Sequence, residues 1–112
     1  MVHAFPCEPC LLEWRQLAPE SPIQWRDERS WIRLFEQAGL RVLRRELWVE
    51  RFFFASSLEL ARALHQSGVT GPARLGAGRL RRVLRDYGAR HSCSQGVVST
   101  WTWLALEARA AA

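Results

Sequence analysis

Residues 97–108 constrain the fold more than any other part of the chain, because both faces of a strand formed there would be apolar. Successive side chains of a β-strand point to opposite faces. Trp101 and Trp103 would therefore lie on one face, and Leu104 and Leu106 on the other. A strand with two apolar faces needs cover on both sides. The sequence therefore predicts a central strand with packing on each face of its sheet.

Two further segments predict strands. Residues 1–5 are short and apolar, and residues 40–54 are rich in the aromatic and β-branched side chains that strands favour. Arg44, Arg45 and Glu46 interrupt the alternation of the longer segment, which suggests a β-bulge. Together with the last strand, these segments predict a mostly antiparallel sheet in an α/β fold, with helices packed against it.

Two helices are expected between the first two strands. The first covers residues 9–17, with Pro9 at its first position, and the prolines of the segment 18–22 end it. In the second helix, Asp27 is the N-cap and Gly39 takes the left-handed position after the last turn. The apolar face of this second helix consists of Trp31, Leu34, Phe35 and Ala38.

Two more helices are expected after the long strand. Ser56 and Glu59 form a capping box at the start of the third helix, and Gly68 ends it. The inward residues of this helix are Leu60, Ala61 and Leu64. After a turn at residues 69–72, a fourth helix runs as far as Gly88. Its inward residues are Leu80, Val83, Leu84 and Tyr87.

The composition is that of a soluble globular protein. The 112 residues are 48% hydrophobic and 24% charged, which fits one domain and argues against disorder. Charged residues interrupt every apolar run before it reaches the roughly 20 residues of a membrane helix. The N-terminus lacks the basic and apolar regions of a signal peptide. We therefore expect a single cytoplasmic domain, residues 1–112, with no membrane partner.

The positive charge comes from arginine alone. All 16 basic residues are arginine, and the formal net charge is +5 at pH 7. Arginine binds carboxylates and phosphates through paired hydrogen bonds, so an acidic partner is one interpretation. A general compositional preference for arginine over lysine is the other interpretation.

The cysteines give little support for a metal site. Cys7 and Cys10 form a lone CxxC pair, and a structural zinc site needs two more ligands. Only His91 and Cys93 are available for that purpose. Buried free thiols are the preferred interpretation, and no metal site is predicted.

Three stretches of the chain resemble one enzyme family. They are FPCEPCLLEWR at residues 5–15, SLELARALHQSGVT at residues 57–70 and STWTWLALEAR at residues 99–109. They resemble the segment after the fifth strand, a helix and the last strand of the malonyl-acyl-carrier-protein O-methyltransferases of biotin synthesis. Those enzymes are class I S-adenosylmethionine-dependent methyltransferases. The chain departs from the family pattern at Pro6, where the family has Thr, and lacks a family lysine near Leu64 and His65.

The resemblance implies a partial class I methyltransferase fold, consisting of strands 5, 6 and 7 with their helices. The strand order of the whole fold is 3-2-1-4-5-7-6, so these three strands are neighbours. The N-terminal half that binds adenosylmethionine is missing. The nearest counterpart of its glycine-rich loop is Gly76-Ala77-Gly78, which follows a Pro-containing turn and is interpreted as an ordinary loop. We therefore expect this chain alone to bind no adenosylmethionine and to be inactive without a separately encoded N-terminal half.

The resemblance also implies a substrate, the free carboxylate of malonyl-acyl-carrier protein. Arg15 would bind the malonyl carboxylate, and Trp25, Arg26 and Trp48 would line the acyl or pantetheine channel. A solvated Arg15 and tryptophans packed in the core are the alternatives. No catalytic residue is assigned. The arginines that would dock the acidic carrier protein, or would form an exposed solvated face, are Arg79, Arg81, Arg82 and Arg85.

Two other functions remain open. Arginines interleaved with tryptophans suggest a small basic nucleic-acid-binding protein, although no known nucleic-acid-binding motif supports it. The chain could also be a regulatory subunit of a split methyltransferase. A neighbouring reading frame that encodes a glycine-rich adenosylmethionine motif would favour the split enzyme.

Overall fold

A computed structural model describes residues 1–19, 25–67 and 75–111 of the chain. The elements in this part are β1 (Val2–Pro6), α1 (Leu12–Leu17), α2 (Glu28–Gln37), β2 (Leu40–Phe54), α3 (Ser57–Ser67), α4 (Ala77–His91), β3 (Ser92–Cys93) and β4 (Gly96–Ala110). The strands form one antiparallel sheet in a mixed α/β fold. Their order is β1-β4-β2, and β3 also pairs with β4. The predicted α/β class, the mostly antiparallel sheet and the central place of the last strand are confirmed.

The described residues cluster in two compact units. The first unit contains Met1–Cys10, Trp25–Glu50 and Trp101–Ala112, and the second contains Leu11–Gln24 and Arg51–Thr100. No helix in the part of the chain that is described is long and apolar enough to cross a membrane.

In the first unit, β1 pairs with β4 over the whole length of β1. The antiparallel register places Val2 opposite Glu107 and Pro6 opposite Trp103. The pairing continues past both ends of β1, since the N–H of Ala108 donates to Met1 O and the N–H of Cys7 donates to Thr102 O. The predicted strand at residues 1–5 is therefore confirmed, shifted by one residue.

Helix α2 covers one face of the first unit. Its Trp31, Ile32 and Phe35 pack against a core cluster that includes the fully buried Leu104 and Leu106 of β4. The helix begins as the sequence predicts, because Asp27 Oδ1 accepts a hydrogen bond of 2.8 Å from the N–H of Ser30. The helix also ends as predicted, with Gly39 at a φ of 81°.

The cap at Asp27 makes a testable contribution to the pH dependence of stability. Hydrogen bonds from the backbone and side chain of Ser30 lower the pKa of the Asp27 carboxyl from its usual 3.8. A lowered folded pKa gives stability that is present above the unfolded pKa and lost as pH falls through the folded value. Asp27→Asn keeps a capping oxygen but cannot titrate. We therefore expect the native chain to lose more unfolding free energy than Asp27→Asn between neutral pH and roughly pH 3.

Urea unfolding followed by circular dichroism at both pH values measures this difference. Glu36→Gln, which removes a carboxylate near the end of α2, controls for the general effect of acid. Parallel losses in the native chain and in Asp27→Asn would contradict the expectation.

The regular alternation of side chains along β2 is interrupted between Val42 and Arg45. Val42 packs against the Leu104 cluster on the α2 side of the sheet, and Arg45 reaches the same side, where its Nε lies 3.1 Å from Glu28 Oε1. Residues 42 and 45 would face opposite sides of a regular strand. Their contacts thus indicate one extra residue between them, as in the predicted bulge.

In the second unit, α1, α3 and α4 bury a separate apolar cluster. Trp14 of α1 and Tyr87 of α4 contact each other with ring centroids 6.0 Å apart, and the Tyr87 hydroxyl donates to Val98 O. The capping box of α3 is present on its N-cap side, where the N–H of Glu59 donates to Ser56 Oγ at 3.2 Å. Its Leu60 and Leu64 are buried as predicted.

Two helix boundaries differ from the sequence expectation. Helix α1 begins at Leu12 and not at Pro9. The reason is that Leu11 has a φ of 53° and gives its N–H to Thr100 O. Helix α4 begins at Ala77 and continues through Gly88 to His91. The neighbouring Tyr87 is buried against Trp14 of α1, and this contact outweighs the weak helix propensity of Gly88.

Some sequence expectations cannot be compared with the structure. Three predicted features lie outside the described residues. They are the part of the loop at residues 20–22, which includes Pro22, the end of the third helix at Gly68 and the turn at residues 69–72. The short strand β3 was not predicted. It pairs Ser92 with Val97 and Cys93 with Gly96.

The two faces of β4 are unequally buried in the first unit. Thr102, Leu104 and Leu106 are buried on the α2 side, whereas Trp101 and Trp103 are only half-buried. The tryptophans shield one another, because Trp103 stacks on Trp101 with ring centroids 5.5 Å apart. Mutual stacking thus supplies apolar contact on the less buried face.

Candidate functional site

We call the face of the first unit's sheet that points away from α2 the open face. It carries a row of three tryptophans. Trp48 of β2 lies beside Trp103 of β4 with ring centroids 6.4 Å apart and an interplanar angle of 19°, and Trp103 stacks on Trp101. The Trp48 Nε1 donates to Glu50 Oε1 at 2.8 Å. The Nε1 of Trp103 is buried and has no hydrogen-bond partner among the described residues. An unpaired buried donor costs about 1–3 kcal/mol.

The opposite, α2 side of the first unit holds an open hollow of about 770 Å³. Helix α2 forms one wall and β2 the other, where Arg45 pairs with Glu28. Its charged lining is mixed in sign, with carboxylates from Glu8, Asp27, Glu28 and Glu36 and guanidinium groups from Arg29, Arg33 and Arg45. The mixed charge gives no preference for a ligand of one sign.

The residues predicted to line a substrate channel do not all meet. Arg26 stacks on Trp31, with its Cζ 5.5 Å from the ring centroid, on the α2 side of the sheet. Trp48 lies on the other face with Trp103. Arg26 and Trp48 therefore do not share one wall within the first unit. Trp25 is half-buried next to Arg26 in the chain.

Arg15 belongs to the second unit, where it lies half-buried in the last turn of α1. The turn is fixed against β4 by Glu13, whose carboxylate accepts hydrogen bonds from the N–H and the Oγ1 of Thr100. A buried tryptophan, Trp14, anchors the other side of the short helix. Arg15 is thus carried by a firmly held element.

Three of the four predicted docking arginines form an exposed surface on α4. Arg81, Arg82 and Arg85 are exposed, and Arg85 Nε lies 3.7 Å from Asp86 Oδ1. Arg79 differs, because its Nη2 donates to the carbonyl of Leu17 at 2.8 Å and the side chain is half-buried. Arg79 thus holds the end of α1, a structural role that the charge pattern of the sequence does not reveal.

The cysteines form no recognisable metal centre. Cys7 and Cys10 are fully buried, Cys93 is exposed, and none of the three is in a disulfide among the described residues. Burial raises the pKa of the Cys7 thiol to about 11, and the nearby Glu28 and Asp27 carboxylates act in the same direction. No group of three or more His, Cys, Asp or Glu residues in the described ranges could hold a metal ion.

Comparison with known proteins gives no family assignment. No protein-family model matches the chain, and no curated protein matches its sequence.

Proposed function

We propose that this chain forms the C-terminal, substrate-side portion of a class I S-adenosylmethionine-dependent methyltransferase. The observation that carries the proposal is the strand order β1-β4-β2 with an antiparallel central strand. The resemblance assigns these strands to strands 5, 7 and 6 of that fold, which are neighbours in the same order. The two apolar faces of the last strand lead to the same expectation of a central place, and the strand order agrees with both expectations.

The connection between β1 and β2 fits the same fold. Both strands are antiparallel to β4 and are therefore parallel to each other. Parallel strands require a crossover, which is usually helical. Here α2 lies between them in the chain and packs on one face of the sheet through Trp31 and Phe35.

The described residues offer little support for an adenosylmethionine site in this chain. Gly76 and Gly78 open α4, but the first turn of this helix holds no acidic residue and the following strand β3 is Ser92–Cys93. The dinucleotide-type site needs a carboxylate for the ribose hydroxyls as well as a glycine turn. The cofactor would supply the methyl group from another chain or segment, and this chain would hold the acceptor.

The proposed acceptor is the free carboxylate of malonyl-acyl-carrier protein. Arg15 would bind that carboxylate through two hydrogen bonds, which fixes the acceptor oxygen in place. The exposed Arg81, Arg82 and Arg85 of α4 would attract the acidic carrier protein. Both groups belong to the second unit.

A reconstitution experiment tests this function. The chain is co-expressed with an adenosylmethionine-binding N-terminal half, and transfer of labelled methyl to malonyl-carrier protein is measured. We expect the pair to be active, and we expect the chain alone to be inactive and to give no heat with adenosylmethionine in calorimetry. Arg15→Ala should lower kcat/KM of the pair about ten- to a hundredfold, since a charged hydrogen bond contributes about 1.5–3 kcal/mol.

The matched control is Arg62→Ala, which removes an exposed arginine of α3. The control should leave kcat/KM unchanged. Adenosylmethionine binding by the chain alone, or equal effects of the two substitutions, would contradict the proposal.

Nucleic-acid binding is the second candidate, and the exposed arginines of α4 are the observation that favours it. The experiment that separates the two is a salt titration of the chain with a generic duplex and with carrier protein. Duplex affinity that exceeds carrier affinity and falls steeply with salt would indicate nucleic acid as the partner. Arg81→Gln, Arg82→Gln and Arg85→Gln combined should weaken whichever partner uses this surface.

A further inference from the structure

In the described part of the chain, no strand pairs with the outer edge of β2. There, β4 is the strand hydrogen-bonded to β2, and β2 ends the order β1-β4-β2. Exposed edges present free N–H and C=O groups that pair readily with other strands. The middle of this edge is also apolar, since Leu47 and Val49 are 46% and 61% exposed. We define residues 44–50 as the edge segment.

The contacts of the edge segment indicate which face of the sheet its odd-numbered and even-numbered residues occupy. Arg45 pairs with Glu28, and Leu47 lines the hollow beside α2, so the odd-numbered residues face α2. Arg44 Nε lies 4.0 Å from Glu107 Oε2, and Trp48 stacks on Trp103, so the even-numbered residues face the open side. Glu50 also lies on the open side, where it accepts the hydrogen bond of Trp48.

The charges of the segment are complementary to those of a second copy. In a two-fold antiparallel pair, directly opposed residues lie on the same face, so their numbers are both odd or both even. The axis therefore lies midway between the two copies of one residue, which is opposed to itself. An axis at Leu47 places Arg44 of each copy opposite Glu50 of the other. An axis at Glu46 would oppose the two Glu46 side chains, and an axis at Trp48 would oppose Glu46 to Glu50. Opposite charges across strands stabilise pairing, and like charges weaken it.

We propose that two copies of this chain associate through the edge segment of β2, with Leu47 on the two-fold axis and Arg44 opposite Glu50. The two Leu47 side chains meet on the α2 side of the continuous sheet. Arginine on an edge normally discourages pairing with foreign strands. In this register the arginine instead meets a carboxylate, so the same charge favours the second copy.

Sedimentation equilibrium of the full chain and its variants tests the dimer. Arg44→Glu and Glu50→Arg should each weaken dimerisation about tenfold, because each turns two attractive cross-strand pairs into repulsive ones. The double variant that exchanges both charges should recover the native dissociation constant. Arg62→Glu on α3, which changes the net charge by the same amount, should have no effect. A monomeric native chain, or no recovery in the double variant, would overturn the proposal.

Disulfide crosslinking tests the register separately. In a Cys93→Ser background, Leu47→Cys should form a crosslinked dimer, because opposed residues have Cβ atoms about 4.5–5.5 Å apart. Val49→Cys is the matched control, since the two copies of residue 49 would lie about 13 Å apart along the strands, four residues at roughly 3.3 Å each. Equal crosslinking of the two variants would refute pairing centred on Leu47.

Discussion

Gly96→Ala should remove about 2–6 kcal/mol from the unfolding free energy. Gly96 has a φ of 114°, and a Cβ at this position would lie 2.2 Å from the carbonyl oxygen of Phe54. Left-handed strain accounts for about 1–3 kcal/mol and overpacking against a backbone atom for a similar amount. Since domains of this size are stable by about 5–15 kcal/mol, the variant should lose a large fraction of its stability. Urea unfolding followed by circular dichroism measures the loss.

Two other glycines separate the clash from the strain. Gly39 also has a positive φ of 81°, but a Cβ there would meet no atom within 4 Å. Gly39→Ala should therefore cost only about 1 kcal/mol. Gly78 lies in the first turn of α4 with open space around it, and Gly78→Ala should stabilise the chain by up to about 1 kcal/mol. Equal losses for Gly96→Ala and Gly39→Ala would show that the contact with Phe54 is not the dominant cost.

The elements that the sequence predicts well are those whose limits depend on local chemistry. Asp27 and Gly39 bound α2 because a side-chain acceptor and a left-handed glycine act within one turn of the helix. The 15 residues of β2 were likewise predicted with correct limits, since their aromatic and β-branched composition is a local property. The central place of β4 was expected from its two apolar faces, whereas the correspondence of the strands to strands 5, 7 and 6 came only from the family resemblance.

The elements that the sequence predicts poorly depend on partners far along the chain. Leu11 leaves the helix because its N–H bonds to Thr100 O, 89 positions away in the numbering from 11 to 100. Helix α4 passes Gly88 because the buried Tyr87 contacts Trp14 of α1 and its hydroxyl donates to Val98 O. The local sequence around Gly88 does not encode those contacts. From the local sequence alone, a glycine at this position indicates the end of a helix.

The residues of the candidate site also differ in how far the local sequence predicts their positions. The exposure of Arg81, Arg82 and Arg85 follows from the apolar spacing of α4, which directs them outward. The binding of Arg79 to the Leu17 carbonyl depends on how α1 and α4 pack. The placement of Trp48 on the open face depends on the extra residue between Val42 and Arg45, which reverses the alternation of β2 before Trp48 is reached.

Leu104→Ala should destabilise the chain by about 2–5 kcal/mol, as expected when a fully buried leucine is truncated and its cavity cannot collapse. Leu104 packs with Leu106 and Cys7 under the aromatic side chains of α2. Leu104→Met, which nearly conserves volume, should cost less than about 1.5 kcal/mol. Leu34→Ala truncates a leucine of α2 that is 40% exposed and should cost less than Leu104→Ala. A loss as large for Leu34 as for Leu104 would place the core elsewhere.

The same substitution also tests whether the chain behaves as one domain. Leu104 belongs to the first unit and Leu64, which is equally well buried, to the second. Strands β2 and β4 each contribute residues to both units, so disrupting either unit removes part of two strands that the other uses. We therefore expect Leu104→Ala and Leu64→Ala to lower the same single transition in urea, by fluorescence and by circular dichroism alike. Two separate transitions, each shifted by only one of the substitutions, would show that the units unfold independently.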